Sequence, residues 1–145
     1  MQHENHENLM RFINLDKALN SIYQRQAKKF EVSESTIEIL YEIRLSDRGM
    51  TQKEIIEDCL LPKQTVNSAM KKLLDEGRVY VSEKQGREKR FLLTEKGMEL
   101  AKETADLVIE AEKRAFFAFS EEEQETVISL LETYTGRLAE EMDKF

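Results

Sequence analysis

Residues 51–93 admit few folds. Thr51-Gln52-Lys53-Glu54 has the form of a capping box, in which the Thr51 hydroxyl accepts from the Glu54 amide while the Glu54 side chain reaches back to the Thr51 amide. Met50 before the cap and Ile55 inside the helix have the spacing of a hydrophobic staple. The helix so started runs through 55–59 and must stop near Leu60-Leu61-Pro62, because the residue before a proline is pushed out of the helical region. Pro62 is expected as the first residue of a second helix, where its missing N–H costs nothing, and Gly77 as that helix's stop. After Gly77 the period switches to two. Arg78-Val79-Tyr80-Val81-Ser82 and Arg90-Phe91-Leu92-Leu93 are strand-like runs joined by a polar loop at 83–89, which predicts a hairpin.

At 100° per residue the second helix divides cleanly. Val66, Ala69, Met70 and Leu73 fall on one arc; Gln64, Ser68 and Lys71 lie opposite, with Asn67 and Lys72 on the flanks. The outward side chains are short, polar or basic, and suit base edges and phosphates in a major groove. An isolated amphipathic helix would read as ordinary packing against a core. The hairpin decides otherwise, since its loop carries Lys84, Arg87, Lys89 and Arg90, more cations than solubility requires. Two short helices followed by a basic hairpin make a winged helix-turn-helix.

The formal net charge of −7 looks unsuited to a polyanionic partner until it is divided along the chain. Residues 1–61 balance at −3, residues 62–96 at +4 and residues 97–145 at −8. The only positive segment is the second helix with its hairpin. Local sign governs attraction to phosphate within a Debye length of about 8 Å. The acidic remainder discourages non-specific coating of nucleic acid.

Residues 1–8 are polar and expected to fray. From Leu9 to Phe30 the apolar residues keep helical spacing, and Ser33 can cap a further helix carrying Ile37, Ile39, Leu40, Tyr41 and Ile43. Beyond the hairpin, Thr94 is expected to cap one long helix continuing to about Phe119. Ser120-Glu121-Glu122-Glu123 forms a second capping box for a last helix reaching Phe145. The expected fold is mainly α with a small β-hairpin wing. Residues 31–97 would form the DNA-binding winged helix-turn-helix, and 1–30 with 98–145 a helical dimerisation region. The terminal helices carry more apolar surface than a small winged helix can cover, and one recognition helix reads too few base pairs alone, so a homodimer is expected.

In this order of elements the chain resembles the MarR family of bacterial transcriptional regulators over nearly its whole length. The similarity extends to local strings: Pro62-Lys63-Gln64-Thr65-Val66-Asn67-Ser68, Leu74-Asp75-Glu76-Gly77-Arg78-Val79, Leu93-Thr94-Glu95-Lys96-Gly97 and Phe119-Ser120-Glu121-Glu122-Glu123. The resemblance implies a homodimer of triangular outline, joined by its terminal helices, with two winged lobes on a pseudo-palindromic DNA operator. It also implies that the wing-tip arginine, here Arg87, enters the minor groove. The family commonly has Asp two residues earlier; this chain has Gln85, followed by Gly86. The candidate DNA-binding residues are Lys63, Gln64, Thr65, Asn67, Ser68, Lys71, Lys72, Lys84, Arg87, Lys89 and Arg90.

A DNA-binding regulator, more readily a repressor than an activator, is therefore the expected function, with a winged-helix protein-interaction module as the alternative. An enzyme is not expected: the folded region has no histidine, no glycine-rich phosphate loop and no metal-ligand spacing. Many relatives in the family answer to small aromatic acids, oxidants or metals. Cys59 is the only cysteine and reads as packing, not sensing. His3 and His6 lie near the N-terminus without supporting ligands, so neither a metal nor a cofactor is expected. A small-molecule effector stays open, with Tyr41 as a candidate lining residue. No apolar run is long enough to cross a membrane, and the first residues lack signal-peptide character, which predicts a cytoplasmic protein.

Overall fold

The computed structural model describes residues 2–82 and 88–145, the first three of these as backbone only. Nine elements follow in order: α1 (Gln2–Phe30), α2 (Glu34–Leu45), α3 (Gln52–Cys59), α4 (Lys63–Asp75), β1 (Val79–Ser82), β2 (Arg90–Leu93), α5 (Glu95–Glu103), α6 (Ala105–Phe116) and α7 (Glu121–Met142). They group into two compact units, 1–107 and 108–145.

The first unit is built around α2. Ser33 caps this helix by accepting from the Thr36 amide at 3.2 Å. Ile37, Ile39, Leu40 and Ile43 are buried, so apolar side chains leave the helix in several directions. It accordingly packs against α1, α3, α4, α5 and β2. Ile39, Leu40, Ile55, Val66, Met70 and Leu73 are almost fully enclosed in one cluster. Each such side chain contributes about 1.5–3 kcal/mol by leaving water.

Local signals set the start of α3. Thr51 Oγ1 accepts from the Glu54 amide at 3.1 Å and Glu54 Oε2 from the Thr51 amide at 2.8 Å, completing the capping box. Met50 and Ile55 are both buried in the core. The helix ends at Leu60, which takes the left-handed conformation (φ 52°) and stands 88% exposed. Pro62 is the N-cap of α4 and not its first helical residue as expected. Its ψ of 138° is extended, so the chain turns into the helix one residue later.

The end of α4 is a Schellman motif. Gly77 stands at φ 67°; its amide donates to Leu74 O (3.0 Å) and the Arg78 amide to Leu73 O (2.8 Å). β1 and β2 pair antiparallel with Val79 opposite Leu93 and Ser82 opposite Arg90. Met50 and Phe91 exchange both backbone hydrogen bonds, at 3.1 and 2.7 Å, which ties the hairpin to the segment before α3.

Further expectations are corrected. Residues 2–8 are helical as part of α1 and are not frayed. The single long helix after Thr94 is instead two, α5 and α6, parted at Thr104 (φ −132°, ψ −82°). Thr104 is buried, and its hydroxyl donates to Leu100 O at 2.6 Å, competing with the helical ladder. α6 also stops at Phe116, not Phe119, and α7 at Met142, not Phe145. Within the second unit, Phe116 meets Phe117 and Phe119 edge-on, with ring centroids 6.2 and 6.3 Å apart. Ser120 and Glu123 close the second capping box. No residue of α7 is buried; Leu130, Leu131 and Met142 are among its most exposed apolar side chains.

Candidate nucleic-acid interface

The inward arc of α4 is as the sequence divides it: Val66, Ala69, Met70 and Leu73 are its buried residues. Lys63, Gln64, Asn67, Ser68, Lys71 and Lys72 are exposed, and Thr65 is half-buried. One polar helix face is thus held in place by four apolar anchors on the other side. Two of its members are already engaged. The Ser68 hydroxyl donates to Gln64 O at 3.0 Å, which leaves its oxygen lone pairs outward. The Asn67 side-chain oxygen accepts from Gln52 Nε2, at the start of α3. Gln52 carries no signal of this role in the sequence, because fifteen residues separate the pair and only the crossing of α3 and α4 brings them together. Lys72 lies 3.9 Å from the Glu76 carboxylate, a loose, solvated pair.

A shallow groove of about 480 Å³ runs along this face, lined by residues of α4 and by Ser33, Ser35 and Thr36 at the start of α2. Gln64, Thr65, Ser68 and Lys72 form its α4 side. The sequence reading assigned nothing to Ser35 or Thr36.

The far end of α4 is held by the start of α5. Thr94 Oγ1 donates to Gly77 O (2.6 Å), the Thr94 amide to Arg78 O (3.0 Å) and Lys96 Nζ to Glu76 O (2.9 Å). A Cβ on Gly97 would lie 1.8 Å from Arg78 O, so no side chain fits where α5 passes the residue before β1. Arg78 pairs with Glu76 at 2.9 Å, and its guanidinium reaches Lys96 O at 3.5 Å.

The loop cations separate into different environments. Lys84 and Arg87, with Gln85 and Gly86, lie outside the described residues. Lys89 is exposed. Arg90 corrects the picture of an outward loop cation: its side chain is only 12% exposed. The guanidinium donates to Gly49 O (3.0 Å), to Glu54 Oε2 and Oε1 (3.1 and 3.3 Å) and to Glu88 Oε2 (3.3 Å). Glu54 is therefore shared between the α3 cap and the root of β2. The hydrogen bond from the Thr51 amide is the main cause that holds its carboxyl below the usual carboxylate value; burial opposes it, and the Arg90 guanidinium adds to the lowering.

The other candidates fall away from this face. Tyr41 is half-buried and packs against the core cluster. Cys59 also packs there; burial first, then the negative charges of Glu42, Glu38 and Asp58, pushes its thiol up to about 12. A thiol so protonated at neutral pH is a poor nucleophile. No group of three or more His, Cys, Asp or Glu able to hold a metal ion occurs among the described residues.

Known proteins place this geometry. The winged helix-turn-helix DNA-binding family model matches residues 32–80. A MarR family regulator from Neisseria meningitidis superposes with a TM-score of 0.71 at 25% identity, over 95% of this chain and 96% of that one. A MarR protein from Peptoclostridium difficile gives 0.64 at 26% identity, over 92% and 89%. The S. aureus MepR–DNA complex gives 0.69 at 21% identity, over 90% and 94%. No curated protein sequence matches the chain. Among the described residues, no helix is long and apolar enough to cross a membrane.

Proposed function

We propose that this chain, a MarR-family winged helix-turn-helix regulator that binds DNA, acts as a homodimeric repressor on a pseudo-palindromic operator. The observation that carries the base-reading part is the outward face of α4, polar and basic above four buried anchors, in the one positive segment of the chain. Gln64, Asn67 and Ser68 would meet base edges in the major groove, while Lys63, Thr65, Lys71 and Lys72 would position the helix on phosphates. Lys89, and Lys84 and Arg87 beyond the described residues, would serve the wing. Arg87 in a narrow minor groove would read A·T richness through groove width. Residues 31–97 are the DNA-binding part of this reading.

Pairing of two chains would fall to 1–30 and 98–145. Its support is the apolar stripe left exposed on α1 (Leu9, Phe12, Leu15, Leu19, Ile22) and on α7 (Leu131, Tyr134, Leu138, Met142). Two lobes then present two recognition helices to successive major grooves. The protein would work without catalysis, in the cytoplasm where the DNA is, and a small-molecule effector would release it. The resemblance to regulators supports a non-enzymatic role.

Selection of bound duplexes from a random DNA pool tests the reading. The expected result is one enriched motif with two related half-sites about one helical turn apart, bound by two chains. A folded protein that enriches no motif would overturn it in favour of a protein-interaction module.

A further inference from the structure

Arg90 is the first residue of β2 after the wing loop and sits opposite Ser82, so its position fixes where the loop leaves the body of the protein. Its guanidinium spans two segments that also meet the hairpin through the Met50–Phe91 bridge and through Gly49 beside Leu92. One segment is the turn at Gly49. The other is the first turn of α3, through Glu54. The same Glu54 carboxylate accepts from the Thr51 amide and so caps the start of α3, the first helix of the helix-turn-helix. The wing root and the first turn of α3 thus share one carboxylate.

We propose that the Glu54–Arg90 pair is a positioning element for DNA binding: it sets the wing root relative to α3 and α4, so that hairpin and recognition helix engage neighbouring grooves together. This inference rests on the DNA-binding reading above and assigns Arg90 a role different from a phosphate contact. Turning Arg90 outward to a phosphate would break its bonds to Glu54, Glu88 and Gly49 O, and leave the Glu54 carboxylate without its cation. Bidentate Arg–carboxylate bonding is directional as well as strong, which a positioning element requires.

Glu54→Gln separates cap from tether, because glutamine at this place in a capping box still accepts from the Thr51 amide while the ion pair is lost. The full chain is titrated against its selected duplex over a salt series, as wild type, Glu54→Gln, Arg90→Gln, Arg90→Lys and the double Gln variant. Circular dichroism checks that each is fully folded at the temperature used. Each single Gln variant is expected to weaken binding about tenfold. The double variant should be no weaker than either, since both remove one interaction. Arg90→Lys should recover only part of the loss, because it keeps charge without the fork. Base preference opposite α4 and the slope of log affinity against log salt should stay unchanged.

A slope reduced by about one in Arg90→Gln, with Glu54→Gln binding normally, would make Arg90 a phosphate contact and overturn the proposal. So would additive losses, or unchanged affinity in folded single variants. A wild-type chain that selects no duplex would instead refute the DNA-binding reading itself.

Discussion

At the scale of single residues, burial and charge divide the polar side chains into those free to act outward and those held inside. Gln64 stands exposed on the outward arc of α4. Gln64→Ala is expected to change preference at one operator position by about 1–3 kcal/mol, the worth of a bidentate base contact. Competition titrations with all four bases at each position check it; equal loss on every sequence would make Gln64 a positioning residue. Glu42 behaves in the opposite way. Burial, then the negative charge of Asp58, raises its pKa above the usual carboxylate value, so folding favours its protonated form. Its stabilising contribution is present below the ordinary pKa and is lost as pH rises to the elevated one. Glu42→Gln should therefore raise the melting temperature at neutral pH, with the gain disappearing in acid. Melting curves at the two pH values decide it, and a neutral-pH loss would show that the charged form is favourably bonded. The exposed face of α4 was legible in the sequence because helical period alone assigns it. The inward turn of Arg90 was not, since its partner Glu54 lies 36 residues away and loop cations carry no mark of which way they point.

Among elements, boundaries written by local chemistry were readable and those written by tertiary packing were not. Thr51, Ser33, Thr94 and Ser120 each accept a hydrogen bond within their own first turn, so three or four residues specify each cap. Thr104 breaks a run with neither proline nor glycine near the break, and only its burial in the fold makes the back-bonded hydroxyl decisive. The Pro62 misplacement by one residue is of the same origin: a proline suits either side of a helix start, and the preceding turn chooses. Leu60 closes α3 in a left-handed conformation that costs an L-residue about 1–2 kcal/mol, while its side chain lies almost wholly in water. Leu60→Gly removes that cost but adds backbone freedom to the unfolded chain, an offset of about 0.5–1 kcal/mol. A net gain of about 0.5 kcal/mol is expected in denaturant unfolding. A loss would mean that Leu60 contributes a contact worth more than its strain.

For the molecule as a whole, the apolar stripes on α1 and α7 and the uneven charge frame the proposed assembly. Leu131→Glu on α7 places a carboxylate in the stripe without touching any buried residue of the chain. It should shift sedimentation from dimer to monomer and weaken operator binding, while leaving helix content unchanged; a variant that stays dimeric would move the pairing surface elsewhere. α4, the proposed recognition helix, is tied to α3 and to α5 within one unit. Asn67 in its second turn accepts from Gln52 of α3, and the carbonyls of Glu76 and Gly77, just past its end, are taken up by Lys96 and Thr94 at the start of α5. Gly97 brings the backbone of α5 so close to Arg78 O that no Cβ would fit between them. The end of α4 is therefore expected to open to hydrogen exchange together with α5, in one cooperative event. If α4 reads bases as proposed, a helix held this way would meet its duplex already ordered, and the conformational entropy of ordering it would belong to folding and not to binding.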